Sequence, residues 1–219
     1  MVAYKRHIDT ANIAELTISR LSIYLRCVDQ LLELGVDIVS SQELAKRFNL
    51  NSAQIRKDLA YFGEFGVRGV GYNVRELRQY VVEILGLDSE RRLLIVGAGN
   101  LGNALCHYSG FSSGNFLVVG VLDSDPSRIG DETPAGLLVE DAERLEEIVA
   151  QRSVDIGVIT TPASAAQKVC DQMADAGLRA ILNFAPVRVK AAEGVLVKTV
   201  DLKVHLEELC FFLAHSTNA

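Results

Sequence analysis

Three observations predict an α/β chain in two unlike parts: helical periodicity across residues 14–85, an apolar strand running into a glycine-spaced turn at 97–102, and net charge of opposite sign in the two halves. The first part reads as helices followed by a small β wing. The second reads as a doubly wound, mostly parallel sheet closed by an apolar C-terminal helix. The expected boundaries are 1–86, 91–202 and 203–219.

In the first part, Leu16, Ile18, Leu21, Tyr24, Leu25, Val28, Leu31 and Leu32 recur at three and four, so Ala14–Leu34 is a long amphipathic helix that Gly35 stops. Ser40 and Glu43 have capping-box spacing and open a short helix carrying Leu44, Ala45 and Phe48. Asn49 to Asn51 is the turn, and a third helix runs from Ser52 through Tyr61 until Gly63 breaks it. Residues 63–72 alternate glycine with β-formers and predict a hairpin or wing, and a fourth helix spans Val74 to Leu85.

In the second part, strands are expected at Leu93–Val96, Phe116–Leu122, Asp155–Thr160, Ala180–Phe184 and Val195–Val200, with a helix over Ala163–Ala176. Lys203–Ala214 is a helix too apolar for a free tail, so it needs either its own sheet or a partner to cover it.

Composition narrows the function classes. The 219 residues are 49% hydrophobic and 23% charged, a folding composition. No apolar run approaches the ~18 residues of a membrane span, and the N-terminus lacks a signal-peptide core, so the expected compartment is the cytoplasm. The four cysteines form no CxxC pair and the four histidines no HxxxH, so no metal site is expected. The total charge of −6 conceals a division: residues 1–80 carry 11 basic and 9 acidic residues, whereas residues 81–219 carry 11 and 19.

Gly97, Gly99 and Gly102 stand between a strand and a helix, and Asp123 ends the following strand. This is the Rossmann dinucleotide fingerprint in its proper context. Backbone amides of Gly97-Ala98-Gly99-Asn100-Leu101-Gly102 would hold the pyrophosphate at the helix N-terminus, and Asp123 would accept from the adenosine ribose. A carboxylate there favours NAD(H) over NADP(H), with Arg128 the one nearby cation that works against this. The alternative is a Rossmann turn that binds nothing. A dehydrogenase would also need acid and base groups, yet no tyrosine has a lysine four residues later, and His107 is a candidate only by elimination.

The N-terminal helices have helix-turn-helix order. The third helix presents Ser52, Gln54, Arg56 and Lys57, types that reach base edges and phosphates, and the wing carries Arg68 between glycines, suited to a minor groove. The alternative for this helix is a solvated charged face.

The segments Ile55-Arg56-Lys57-Asp58-Leu59-Ala60-Tyr61-Phe62-Gly63, Gly69 to Val74, Val96 to Leu105 and Ile181 to Pro186, with Tyr24-Leu25-Arg26 and Val200-Asp201-Leu202, make the chain similar to the Rex redox-sensing repressors over essentially its whole length. The resemblance implies a homodimer with an exchanged C-terminal helix that binds palindromic double-stranded operator DNA, not an enzyme. It implies release of that DNA on binding NADH rather than NAD+. It further implies a switch in which Asp201 chooses between Tyr108 and Arg26. Thr160, Thr161, Pro162, Asn183, Phe184, Ala185 and Pro186, at strand ends, are candidates to line the nicotinamide. Position 202 is Leu where some relatives have Phe, which departs from a stacking contact. Two readings compete with the repressor: a small NAD-dependent oxidoreductase and a Rossmann adaptor protein.

Overall fold

The structure is a computed structural model that describes residues 13–67, 69–112 and 114–215. The chain forms two compact units, Met1–Ser89 and Glu90–Ala219.

The first unit holds α1 (Glu15–Glu33), β1 (Ile38–Val39), α2 (Ser41–Phe48), α3 (Ser52–Ala60), β2 (Tyr72–Asn73) and α4 (Val74–Ile84). The apolar face of α1, with Leu21, Val28 and Leu31 fully buried, packs with Leu44 of α2, Ile55 of α3 and Val81 of α4 in one core. Side-chain caps set the helix starts. Ser40 and Glu43 form both halves of the capping box, Asn51 accepts from the amides of Ala53 and Gln54, and Asn73 accepts from that of Glu76. Asn49, left-handed at φ 52°, closes α2 and makes the turn into α3.

The expected wing forms as a minimal hairpin, in which the Val67 and Gly71 amides donate to each other's carbonyls at 2.9 and 3.0 Å. Among the described residues of 63–72, the only pairing inside the segment is the isolated bridge Val67↔Gly71, and Tyr72–Asn73 instead pairs antiparallel with Ile38–Val39. The buried Val39 and Tyr72 face each other across that pair, so core packing overrides local alternation.

The second unit holds β3 (Arg91–Val96), α5 (Asn100–Cys106), α6 (Ser109–Ser112), β4 (Phe116–Asp123), β5 (Val139–Asp141), α7 (Leu145–Arg152), β6 (Ile156–Ile159), α8 (Ala163–Asp175), β7 (Ala180–Asn183), β8 (Leu196–Thr199) and α9 (Leu202–His215). Six strands, all parallel, run in the order β5-β4-β3-β6-β7-β8. That is the doubly wound dinucleotide-binding order, with its reversal between β3 and β6. Alternation along β3 sends Leu94 and Val96 to the face covered by α7 and α8, and Ile95 to the face that carries Cys106 of α5. Sequence periodicity leaves β5 and α7 unassigned; β5 is three residues, two of them acidic.

Beyond α5 and α6, whose Phe111 meets Phe116 of β4, no described helix covers the second face. Leu93, Phe116, Val158, Leu182 and Leu196 line an open apolar groove of about 270 Å³ across β3, β6, β7 and β8. Every residue of α9 is exposed, including Leu209, Phe212 and Leu213 at 59, 62 and 75%, so this helix does not pack on its own sheet. No described helix is long and apolar enough to cross a membrane.

Candidate dinucleotide and nucleic-acid sites

The switch point of the sheet gathers the first candidate site. After β3 the chain turns at Gly97, whose φ of 114° and approach to the Thr160 carbonyl (2.8 Å from where a Cβ would stand) admit no side chain. Thr160 follows β6 and donates its hydroxyl to the Gly97 carbonyl at 2.7 Å, joining the strands across the reversal. A Cβ on Gly102 would strike the Gly97 carbonyl, so α5 sits against the turn. Gly99 differs: its Cβ would meet only the Arg128 guanidinium, 3.9 Å away, so its outer side faces open space. Tight turn, open approach and close helix packing therefore fall on the three glycines as the spacing predicts. Ala98 is buried, whereas Asn100 and Leu101 are exposed at the start of α5.

Asp123 ends β4 and is 8% exposed. It accepts from the Ala98 amide at 2.7 Å, the Asp125 amide at 2.9 Å and Arg128 Nη1 at 3.1 Å. Burial pushes its carboxyl up, but the hydrogen bonds from Asp125, Ala98 and Arg128 outweigh that and hold it below the usual carboxylate range. Arg128 also lies 3.7 Å from Asp125. The cation beside the loop is thus turned onto two carboxylates.

Across β3 from Asp123, Thr161 Oγ1 is buried without a hydrogen-bond partner among the described residues. Asn103 on α5 donates to the Ala98 carbonyl, while its Oδ1 is likewise buried and unpartnered. Buried polar atoms are ordinarily paired, and these two remain open to a hydrogen-bonding group from outside the chain. The buried Asn183 accepts from the Ala185 amide and donates to the Val187 carbonyl at 2.8 Å, shaping the turn that carries Phe184, Ala185 and Pro186. Pro162 begins the exposed entry to α8. Sequence reasoning passed over Asn103, whose signal was its place one residue beyond the third glycine. Among the described residues no cluster of three His, Cys, Asp or Glu could hold a metal ion. His107 is exposed at the C-cap of α5.

In the first unit, α3 buries Ile55, Asp58 and Leu59 and turns Arg56 and Lys57 outward. Arg56 donates to Ser41 Oγ at 2.8 Å, linking α3 to the start of α2. Ser52 is half-buried in the first turn. Gln54 is partly committed elsewhere, since its Nε2 donates to Asp58 Oδ1 at 2.7 Å. Arg68 lies outside the described residues.

Of the three expected switch residues, Arg26 is exposed on α1. Tyr108 is 54% exposed, edge-on to Phe111 with ring centroids 5.3 Å apart. Asp201 accepts from the Lys203 amide at 3.0 Å and so starts α9.

Against this geometry the comparisons are specific. Two family profiles match: a putative DNA-binding protein N-terminus over residues 12–60 and a CoA binding domain over residues 88–187. Two similar proteins are the redox-sensing transcriptional repressors Rex of Syntrophobacter fumaroxidans and Pelotomaculum thermopropionicum. The first is 47% identical over 93% of this chain and 97% of its own; the second is 50% identical over 92% and 94%. A solved structure of the repressor RSP with β-NAD+ and operator DNA is 36% identical, with a TM-score of 0.89 over 93% of this chain and 94% of that one. RSP with β-NADH is 34% identical, with a TM-score of 0.83 over 94% and 96%.

Proposed function

Because the chain belongs to the Rex family of redox-sensing transcriptional repressors, we propose that it binds palindromic operator DNA through α3 and lets go when NADH occupies the glycine loop at 97–102. The relatives are named as regulators, and the oxidoreductase reading is set aside. One observation carries the proposal: a single chain pairs an exposed Arg56–Lys57 helix face with a glycine cradle open at Gly99 and an ionised Asp123.

The residues fit a nicotinamide dinucleotide. Gly99 leaves room for the pyrophosphate, Asp123 offers a carboxylate to the adenosine ribose, and the unpartnered Thr161 Oγ1 and Asn103 Oδ1 supply polar contacts. The CoA-binding profile covers the same sheet, but a carboxylate at the end of β4 disfavours a phosphorylated adenosine ribose. In this reading Thr161, Pro162, Phe184, Ala185 and Pro186 line the nicotinamide end. When bound, the cofactor supplies one difference between its two forms: a planar cationic ring when oxidised, a neutral ring when reduced.

The chain's own residues turn that difference into a change of state. Asp201 pairs with Arg26 in the DNA-competent arrangement and accepts from the Tyr108 hydroxyl in the released one. With the carboxylate already tied to the start of α9, the choice of partner moves that helix. Preference for one state makes operator and NADH affinities oppose each other reciprocally, and about 5.5 kcal/mol of differential binding swings the population from 1:99 to 99:1. The protein acts as a homodimer: an exposed α9 carrying Leu209, Phe212 and Leu213 and the bare groove over β6–β8 are the apolar surfaces that a second copy covers. Its place is the cytoplasm, with the DNA.

The test measures two binding activities on one preparation. A duplex selected by the wild-type protein from a random-sequence pool should bind with a steep salt dependence, and Lys57→Ala should reduce the log–log slope by about 1. NADH should bind the same protein as followed by the cofactor's own fluorescence, which no tryptophan of this chain obscures. Salt-independent DNA binding, or no selected sequence at all, would contradict the proposal.

A further inference from the structure

The core of the first unit contains a charge that the function above does not use. Asp58 lies on α3 with no exposed surface, on the side opposite the outward-facing Arg56 and Lys57. Four donors converge on its carboxylate. Arg20 of α1 approaches as a fork, Nε to Oδ2 at 2.5 Å and Nη2 to Oδ1 at 2.7 Å. Tyr24, one turn further along α1 and 2% exposed, donates its hydroxyl to Oδ2 at 2.8 Å, and Gln54 donates to Oδ1 at 2.7 Å. Arg20 is itself steadied by the buried Thr17, whose hydroxyl accepts from Nη2 at 3.2 Å.

Each oxygen therefore accepts two hydrogen bonds, the full capacity of a carboxylate. A bidentate guanidinium fixes a plane as well as a distance, so the arrangement constrains the rotation of α3 about its own axis. Apolar contacts from Ile55 and Leu59 hold α3 against the core but tolerate small rotations. A rotation of the size that apolar packing allows would swing Arg56 and Lys57 away from a base edge, where reading is geometric, more than from a phosphate, where it is electrostatic. The two anchors on α1, the half-buried Arg20 and the buried Tyr24, also make this helix and the reading helix move together.

We propose that Asp58, clamped by Arg20 and Tyr24, is a positioning residue that sets the roll of the reading helix and thereby sequence discrimination, without touching DNA itself. The inference rests on the proposal that α3 reads operator DNA. It predicts a selective defect: loss of the clamp lowers affinity for the right sequence and leaves affinity for any duplex largely intact, because the exposed cations remain.

Fluorescence anisotropy at one salt concentration tests it, using the duplex selected by the wild-type protein and a scrambled duplex of equal length. Asp58→Asn keeps the side-chain shape but turns an amide N–H₂ toward two donors. Its affinity for the selected duplex should fall tenfold or more, with affinity for the scrambled duplex changed less than twofold. Tyr24→Phe, which removes one of the four donors, should show the same selective loss at about threefold. Arg20→Lys keeps the charge but loses the fork, and should resemble Asp58→Asn rather than wild type. Circular dichroism and NADH binding on the same samples report folding, and if Asp58→Asn does not fold, Tyr24→Phe and Arg20→Lys decide. Folded variants with the wild-type ratio of selected to scrambled affinity would overturn the positioning role, as would equal loss on both duplexes. A wild-type protein that cannot tell the two duplexes apart would instead overturn the DNA-reading function, and the inference with it.

Discussion

Asp123 at the end of β4 accepts a hydrogen bond from the Ala98 amide at 2.7 Å, so the residue that would hold the ribose also fixes the glycine loop that would hold the phosphates. Two parts of the proposed dinucleotide site, from neighbouring strands, are thereby held in register by the chain's own hydrogen bond.

Asp123→Asn keeps the size of the side chain and removes its charge. Hydrogen bonds to a charged group contribute about 1.5–3 kcal/mol, so NADH affinity should fall on the order of 10- to 100-fold. Titration of cofactor fluorescence measures it, and wild-type affinity would remove Asp123 from the site.

Two glycine substitutions separate packing from ligand approach. A Cβ at Gly102 collides with the Gly97 carbonyl, so Gly102→Ala should lose about 1–3 kcal/mol in urea denaturation. At Gly99 a Cβ meets nothing nearer than 3.9 Å, so Gly99→Ala should melt like wild type yet bind NADH more weakly, because the methyl group fills the open approach. Equal stability of the two variants would contradict this division of roles.

Stability should depend on pH from both sides. Burial pushes the Asp58 carboxyl up, but its hydrogen bonds from Arg20, Tyr24 and Gln54 outweigh that and lower it, as the bonds to Asp123 do there. For such lowered carboxylates the unfolded chain binds more protons, so their contribution is present above the unfolded value of about 3.9 and is lost as pH falls below it. Tyr24 is shifted the other way, raised by burial and by the Asp58 hydrogen bond. Its contribution is present below the unfolded value of about 10 and lost as pH rises beyond it. Urea midpoints from pH 3 to 11 should fall at both ends, and Tyr24→Phe should flatten the alkaline limb. An unchanged alkaline limb in that variant would refute the assignment.

Much of this was legible in the sequence, and the exceptions have physical reasons. Ser40 with Glu43, Gly35 after α1 and the glycines at 97, 99 and 102 are local signals, and each stands where its spacing indicates. The wing forms as expected, but its hairpin is shorter than the alternation suggests because Tyr72 pairs with Val39, more than thirty residues earlier in the chain. Gln54 reads as a base-contacting side chain, yet its amide faces a carboxylate one turn along. Asp58 looks like an ordinary polar position on a charged helix. Only the fold brings Arg20, 38 residues away, onto it and shows the charge to be buried. The apolar run of α9 signalled a need for cover, and the described residues do not supply it.

The proposed switch makes its own prediction. Asp201→Ala removes the carboxylate proposed to choose between Arg26 and Tyr108 and does not alter the glycine loop at 97–102. NADH should bind this variant within about threefold of wild type, while the concentration needed to release DNA rises at least tenfold. Release at the wild-type concentration would dismiss Asp201 from the switch.

The central claim is that one chain couples a dinucleotide to a DNA sequence, and the most direct measurement is the anisotropy of the selected duplex, bound to the protein, as NADH is added at fixed salt, with NAD+ and NADPH in parallel. The account predicts that NADH alone returns the duplex to its free anisotropy, and that the same duplex weakens NADH binding by the same factor. A complex that stays bound at saturating NADH would contradict it.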